Sequence, residues 1–197
     1  MTPSPAVALL TIGHSNHPAD RFIELLKSAD VTALADVRSV PFSRWCPWFT
    51  AQALAERLAR EGIAYLPFGD TLGGRPRDRK LYRDGVIDYE AVAATPEFRA
   101  GLDRLIEETG HHRLCLMCSE REPLDCHRFL LVARALAERG LAASHILVDG
   151  RIEPQAAAEG RLLALAGGAP DLLHDDAQRL AAAYRRRAGS VGAKLNS

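Results

Sequence analysis

A short segment near the middle of the chain concentrates residue types that perform acid–base, thiol and anion-binding chemistry. It reads CSEREPLDCHR, from Cys118 to Arg128. Cys118 and Glu120 are candidate nucleophiles or acid–base groups, and His127 is a candidate acid or base. The start of a helix offers free N–H groups and the positive end of a dipole, which hold anions and lower thiol pKa values. We therefore predict that Cys126 and Arg128, in the first turn of the helix that follows, bind an anionic substrate, with Arg128 gripping phosphate or carboxylate in a two-pronged contact.

The same segment also has a purely structural interpretation. Asp125 would cap the helix, Cys126 would fill the core and His127 would bond a loop carbonyl. Both interpretations stay open at the level of sequence.

Two familiar templates do not fit these residues. A phosphatase loop needs an arginine six positions after its cysteine, and Leu124 stands at that distance from Cys118. A zinc site built from His14, Cys118, Cys126 and His127 lacks the short spacing of structural zinc. On a helix, adjacent Cys126 and His127 would also diverge by about 100°. We therefore expect no metal site among them.

Further polar residues follow other apolar segments of the chain. They are Gly13, His14 and Ser15; Asp36, Arg38, Ser43 and Arg44; and Gly73, Gly74 and Arg75. Glycine lets the backbone approach a ligand closely, and glycine turns beside arginines can cradle phosphate. We predict that His14 is catalytic and that the others bind substrate. The structural alternatives are a satisfied histidine, an Asp–Arg pair at the sheet edge and a solvated loop.

The elements that must position these residues alternate between strand and helix. Apolar runs predict strands at 7–12, 31–37, 63–68, 113–117 and 144–148. Helical spacing predicts helices at 18–29, 51–60, 95–109, 126–139, 154–165 and 175–187. This order predicts a three-layer, Rossmann-like α/β fold with about five mainly parallel strands and helices on both faces. Ligands bind outside the carboxyl ends of such strands, which is where the polar residues lie.

Three stretches are expected to lie outside this core. Residues 69–94 form a long polar segment, typical of a functional or mobile loop. The basic run 185–187 is interpreted as a surface helix end, and 189–197 as a frayed tail. We expect a single domain over 1–197, with its core at 7–165 and a C-terminal helix and tail at 166–197.

Composition narrows the class of protein further. The chain has 197 residues, with 25 basic and 25 acidic side chains, so bulk charge gives no argument for nucleic acid or membrane. No apolar run approaches the roughly 20 residues of a spanning helix. The 4 cysteines are too few for a disulfide framework, so free thiols and a cytoplasmic location are expected.

The ordered motifs resemble the family called domain of unknown function 488. They are TIGHS (11–15), DVRS (36–39), LGG (72–74), TPEF (95–98), LMCSE (116–120) and PLDCHR (123–128), and the resemblance extends over roughly 9–187. The family is mostly bacterial and has no settled activity, so the resemblance implies a shared polar site and no reaction. Similar sequences usually have a polar residue in place of Cys46 and often a histidine in place of Gln155.

These observations favour an enzyme, a hydrolase or transferase, that acts on a phosphate-bearing substrate such as a nucleotide or nucleic acid. A glycosidic-bond reaction through Glu120 and thiol chemistry at Cys118 both stay open. The alternatives are a metal- or haem-binding protein using histidines and cysteines, and a non-catalytic nucleic-acid accessory module. The sequence identifies neither a cofactor nor an oligomeric state.

Overall fold

A mixed β-sheet forms the centre of the computed structural model, which describes residues 9–167 and 175–194. In chain order the strands are β1 (Leu9–Gly13), β2 (Ala33–Asp36), β3 (Ala64–Pro67), β4 (Tyr82–Arg83), β5 (Val86–Ile87), β6 (Leu114–Cys118), β7 (Ala143–Ile146) and β8 (Ile152–Pro154). Among the described residues, six strands form the main sheet in the order β3-β2-β6-β1-β7-β8. All neighbours are parallel except β7 and β8. The predicted α/β fold with a mainly parallel sheet is confirmed.

Helices cover both faces of the sheet. In chain order they are α1 (Ala19–Ser28), α2 (Ala51–Arg60), α3 (Gly69–Leu72), α4 (Tyr89–Ala93), α5 (Pro96–Thr109), α6 (Arg134–Ala137), α7 (Gln155–Leu165) and α8 (Asp176–Val191). Buried residues of α1 and α2 pack on one face, and those of α5, α6, α7 and α8 contribute to the core on the other. We call the first the α1/α2 face and the second the α5/α8 face.

The two central strands show why both faces must be covered. Every residue of β1 (LLTIG) and of β6 (LCLMC) is buried, as expected of strands between two helical layers. Side chains alternate along β6: Leu116 and Cys118 join the core of the α5/α8 face, and Cys115 and Met117 that of the α1/α2 face. The register pairs Gly13 with Cys118, so β1 and β6 end side by side.

The helix predicted at 126–139 is not regular. A 3₁₀ turn at Pro123–Asp125 precedes it, a π-helical segment occupies Arg128–Ala133, and only Arg134–Ala137 is α-helical. Cys126 has extended dihedral angles (φ −127°, ψ 141°) and lies before the helix. π-Helical turns are rare and are frequently found at functional sites.

The segment 69–94 is built from short elements, which corrects its interpretation as a long loop. It contains α3, a 3₁₀ turn, the β4–β5 hairpin and α4. Leu72, Ile87, Tyr89 and Val92 are buried in the core of the α5/α8 face and hold these elements in place. Anchors this far apart follow no helical or strand period, so the sequence pattern did not reveal them.

The C-terminal part of the chain also differs from its prediction. Helix α8 continues to Val191, and the amide of Ile87 donates to the carbonyl of Ala193. Residues 189–194 are therefore not a frayed tail, whereas 195–197 lie outside the described residues, as do 168–174 and the first two residues of the strand predicted at 7–12. Across the described ranges, no helix has the length and apolar character required to cross a membrane.

Candidate functional site

A cavity of about 410 Å³ opens at the carboxyl edge of the sheet, beyond the end of β6. It is lined by Arg38, Ser39, Val40, Phe42, Gly74, Arg75, Tyr89, Cys118, Ser119, Glu120, Asp125, His127, Val191 and Ala193. The pocket lies where the rule for open parallel sheets places a ligand site.

Four side chains with metal-binding or nucleophilic atoms converge at Cys118: they are Cys118, Glu120, Cys126 and His127, of which all but Cys126 line the pocket. Glu120 Oε2 lies 2.9 Å from the sulfur of Cys118 and 2.9 Å from that of Cys126. His127 Nδ1 lies 3.5 Å from Cys118 Sγ and 3.9 Å from Cys126 Sγ. All four ligand atoms lie within 4.8 Å of one another, and only Glu120 is solvent-exposed. We call these four residues the Cys–Glu–His cluster.

The extended backbone of Cys126 explains how neighbouring residues can share one cluster. Had Cys126 and His127 both been helical, their side chains would diverge by about 100°. Because Cys126 lies before the helix, its sulfur and His127 Nδ1 both face Cys118. The argument from helical divergence against a shared site was therefore wrong.

His127 is held by contacts on two sides of its ring. Nε2 lies 2.9 Å from the carbonyl oxygen of Val37. Since a carbonyl only accepts, Nε2 carries a hydrogen and donates it, and Nδ1 faces the sulfurs. Gly74 packs against the ring so closely that a Cβ there would lie 2.5 Å from His127 Cγ. His127 does bond a loop carbonyl, as the structural interpretation held, and at the same time it lines the pocket.

Charge in the Cys–Glu–His cluster is shared among its members. Burial raises the pKa of Cys118 well above that of a free thiol. Burial also opposes ionisation of Cys126, but the hydrogen bond from Cys118 and the positive charge of Arg128 outweigh it and lower the pKa of Cys126. Burial and the neighbouring Cys126 charge raise the pKa of Glu120. Burial lowers the pKa of His127, whereas the Cys126 hydrogen bond and charge raise it, and the net shift is upward.

A second polar network lies on the α1/α2 face of the same edge. Arg38 donates through Nε and Nη2 to the two carboxylate oxygens of Asp36, at 2.9 and 2.6 Å. Arg38 Nη1 donates to the carbonyl of Phe49 at 2.8 Å and lies 3.3 Å from His14 Nε2. The His14 ring stacks on Phe49 with centroids 4.3 Å apart. Burial, followed by the charge of Arg38, lowers the pKa of His14 to about 4.

This network separates His14 from the cluster. His14 is buried and does not line the pocket, whereas Arg38 lines it with a guanidinium already engaged by Asp36 and Phe49. The Asp–Arg pair at the sheet edge is therefore present as the structural alternative described it.

Arg128 is also occupied by the protein itself. It is completely buried and donates to the carbonyl oxygens of Glu120, at 2.6 Å, and Arg121, at 3.2 Å. Gly13 permits this arrangement, because a Cβ at that position would lie 1.9 Å from the Glu120 carbonyl oxygen. The close approach expected at Gly13 is thus to the protein backbone, and the predicted substrate clamp of Arg128 instead fixes the turn that carries Glu120.

The remaining predicted residues lie at different distances from the pocket. Ser15 donates its amide to Ser119, and Ser43 Oγ accepts from the amide of Cys46. Arg44 is exposed and lies over the ring of Trp45. None of these three lines the cavity.

Of the LGG motif and its following arginine, Gly74 and Arg75 line the cavity and Gly73 does not. A Cβ at Gly73 would lie 2.3 Å from the Gly69 carbonyl oxygen and 2.4 Å from Ser39 Oγ, so Gly73 packs against the protein itself. The Arg75 amide donates to Ser39 Oγ at 2.9 Å, which ties this turn to the loop after β2.

Several pocket residues were not identified from the sequence: Ser39, Val40, Phe42, Tyr89, Ser119, Asp125, Val191 and Ala193. Val40 and Phe42 follow the motif that contains Arg38, and their apolar character in a loop could have marked them. Val191 and Ala193 belong to the region taken as a tail. Arg187 pairs with Asp125 and brings the last turns of α8 to the pocket, although the run 185–187 was interpreted as a surface helix end.

Comparison with known protein families identifies the family of this chain. A family model described as "Domain of unknown function DUF488" matches residues 18–135, more than half of the chain. The span is shorter than the 9–187 expected from the motifs, but it includes the whole Cys–Glu–His cluster. No curated protein and no solved structure matches the chain.

Proposed function

We propose a function for this chain, which belongs to the DUF488 family. Its pocket is the active site of an enzyme that acts on a phosphate-bearing substrate, either a nucleotide or the end of a nucleic acid. The observation that carries the proposal is the composition of one cavity. It combines Arg75 and exposed apolar side chains with the Cys118 thiol, the Glu120 carboxylate and the His127 imidazole of the Cys–Glu–His cluster.

Arg75 is the side chain that best suits phosphate binding in this pocket. Its guanidinium has no hydrogen-bond or carboxylate partner in the described part of the chain, whereas the guanidinium groups of Arg38 and Arg128 are engaged by protein oxygens. A free guanidinium can grip two phosphate oxygens at once. The anion-binding role predicted for four arginines is therefore assigned to Arg75.

The apolar residues of the same lining favour a substrate that also carries a flat apolar group. Phe42 lines the cavity with 67% of its surface exposed, and Val40 is exposed beside it. An aromatic ring on a pocket rim stacks well on a nucleobase, and such stacking tolerates any base. Phosphate at Arg75 and a base at Phe42 together describe a nucleotide.

The Cys–Glu–His cluster supplies the reactive groups at this site. Glu120 is the exposed member, and one of its oxygens lies 2.9 Å from the sulfur of Cys118 and 2.9 Å from that of Cys126. A carboxylate fixed in this way can position water or a hydroxyl group for transfer of a phosphoryl or glycosyl group. We therefore propose a hydrolase or transferase in which Glu120 contacts the reacting group.

A thermal-shift screen of nucleotides, followed by calorimetric titration of the hits, tests the proposal. Arg75→Ala is expected to weaken nucleotide binding by about 10-fold or more, because it removes a charge-assisted contact. Arg77→Ala is the matched control, since Arg77 is an exposed arginine of the same loop that does not line the cavity. Binding that is equally sensitive to both changes, or no nucleotide binding at all, would contradict the proposal.

A further inference from the structure

We propose that the Cys–Glu–His cluster is a binding site for a thiophilic divalent cation, with Zn²⁺ as the ion it fits best. Binding of the ion follows from the cluster itself and does not depend on the proposed function; only the catalytic use of the ion does.

The spacing of the four ligand atoms suits tetrahedral zinc. With Zn–S bonds of about 2.3 Å and Zn–N or Zn–O bonds of about 2.0–2.2 Å, tetrahedral ligands lie roughly 3.3–3.8 Å apart. Of the two distances from His127 Nδ1 to sulfur, 3.5 Å lies within this range and 3.9 Å lies just above it. The Glu120 oxygen is somewhat closer to the sulfurs, at 2.9 Å, and no pair exceeds 4.8 Å. Shifts of less than 1 Å, within the range of side-chain adjustment, would complete the geometry.

The orientation of His127 matches that of a metal ligand. Metal-binding histidines generally donate the N–H of their other ring nitrogen to a carbonyl or carboxylate, which fixes the tautomer and the ring. His127 does this with Nε2 and the carbonyl oxygen of Val37, at 2.9 Å. Its Nδ1 lone pair is thereby directed at Cys118 and Cys126. The carbonyl of Val37, the residue after β2, and the close packing of Gly74 hold the ring there before any ion binds.

Positive charge near the cluster would offset the charge of its ligands. Two thiolates and a carboxylate carry one more negative charge than Zn²⁺ neutralises. Arg128 acts electrostatically on Cys126, and Arg38 on Cys118. The Arg128 amide also points to Cys126 Sγ at 3.5 Å, as an N–H donor to a coordinated sulfur would. Besides their hydrogen bonds to protein oxygens, Arg38 and Arg128 would thus offset the negative charge of the metal ligands.

The ligand types select the class of ion. Thiolate and imidazole favour Zn²⁺ and other thiophilic ions over Mg²⁺ and Ca²⁺, which prefer oxygen. Haem fits poorly, because it brings four nitrogen ligands of its own, whereas here four protein ligands converge on one point. Three of the ligands are buried and the fourth, Glu120, faces the pocket. If the proposed function holds, Glu120 is the ligand that a substrate or water would displace.

The test is the metal content of the untagged, reduced protein, followed by replacement with Co²⁺. We expect one equivalent of Zn²⁺ after purification without chelators. The Co²⁺ form should show the strong visible absorption of a tetrahedral site and a sulfur-to-metal charge-transfer band in the near ultraviolet. Cys126→Ser should abolish the charge-transfer band or weaken it strongly, and Glu120→Gln should lower Zn²⁺ affinity by about 10-fold or more while the fold persists.

Cys115 and Cys46 provide matched controls within the same chain. Both are buried free thiols outside the cluster, and Cys115 lies on β6 with its side chain on the opposite face from Cys118. Cys115→Ser should retain the metal and the Co²⁺ spectrum. Because Cys126→Ser could unfold the protein, the exposed Glu120 variant provides an independent measurement.

Three results would overturn the metal site: a reduced protein that binds neither Zn²⁺ nor Co²⁺, a Co²⁺ spectrum without thiolate bands, or a Cys118–Cys126 disulfide in protein purified under reducing conditions. Nucleotide binding without metal would refute the ion and leave the proposed function standing. Metal binding without nucleotide binding would support the ion and refute the proposed function.

Discussion

Gly74 is the residue whose lack of a side chain sets the position of His127. A Cβ at this position would lie 2.5 Å from His127 Cγ and 2.7 Å from Nδ1, closer than real contacts allow. Gly74→Ala must therefore displace the imidazole from the Cys–Glu–His cluster. We expect Co²⁺ affinity to fall by about 10-fold or more, with no ligand removed.

Gly189→Ala is the control for this prediction. Gly189 lies in α8, and an added Cβ would meet nothing within 4 Å. Alanine is about 1 kcal/mol better than glycine within a helix, so this variant should be neutral or slightly stabilising and bind Co²⁺ normally. Equal Co²⁺ affinity of the two variants would show that the Gly74 contact does not position His127.

Gln155 links the sheet to two helices through buried hydrogen bonds. Its Oε1 accepts from His145 Nε2 at 2.9 Å, and its Nε2 donates to the hydroxyl of Tyr184 at 2.7 Å. Gln155→Leu would leave the buried Nε2 of His145 without its acceptor, whereas the Tyr184 hydroxyl would keep its bond to Glu159 Oε1. We expect a loss of about 1–3 kcal/mol in the free energy of unfolding, measured with urea. Exposed Gln52→Leu should change it by about 0.5 kcal/mol or less.

At this scale the sequence identified the reactive residues Cys118, Glu120 and His127, but not which of the other polar residues line the pocket with them. His14 and Cys118 were both expected at the carboxyl edge, and both lie there. Side chains alternate along strands, however, and Cys118 faces α5 and α8 whereas His14 stacks on Phe49 under α1 and α2. Cys126 converges with Cys118 because its backbone is extended before the helix begins. The residue types in this segment do not indicate that conformation.

Among the elements, strands and long helices were predictable because their apolar residues repeat at a fixed period. Helix α5 was marked by Thr95, whose side chain accepts from the Phe98 amide, and by Pro96 at its first position. The short antiparallel β8 was not predicted: only three residues long, it pairs with β7 through a tight turn that resembles loop sequence. The π-helical segment after His127 has the composition of an ordinary helix.

The end of α8 forms one wall of the pocket and supports the β4–β5 hairpin. Val191 and Ala193 line the cavity, and the Ala193 carbonyl accepts from the Ile87 amide at 3.0 Å. Deleting 189–197 should therefore speed hydrogen exchange of the Ile87 amide by about 10-fold or more. The Co²⁺ site should survive, because its ligands come from 118–127.

Deletion of 195–197 alone is the control for the truncation. It leaves Val191 and Ala193 in place, so exchange at Ile87 should stay at the wild-type rate. If the Ile87 amide exchanges at the same rate in both truncated proteins, the C-terminal segment does not support the hairpin.

For the molecule as a whole, the class of fold followed from the alternation of strands and helices. Parallel strands and right-handed crossovers require that strand ends share an edge, and that rule located the pocket. The strand order did not follow, because β6 lies between β2 and β1 although three strands of the main sheet precede it in the chain. Packing between distant segments determines the strand order, and apolar periodicity within each segment carries no information about that packing.

The acid stability of the whole fold should depend on His145, which the sheet buries completely. Burial, followed by the charge of Arg128, lowers the pKa of His145 from 6.5 to about 4. Between these values the unfolded chain binds a proton that the folded chain does not, so the free energy of unfolding falls as the pH is lowered. The slope is about 1.4 kcal/mol per pH unit, and the loss reaches about 3 kcal/mol at pH 4. Above pH 6.5 this group contributes no pH dependence.

Urea unfolding of the metal-free protein between pH 7 and pH 4, with a chelator present, measures this effect without release of a bound ion. His145→Asn should lower the free energy of unfolding at pH 7. It should also reduce the dependence of that free energy on pH by the contribution of His145. His111→Gln is the control: it replaces an exposed histidine outside the buried network and should leave the slope at the wild-type value. A His145→Asn profile as steep as that of the wild type would mean that other groups, such as His14, carry the acid sensitivity.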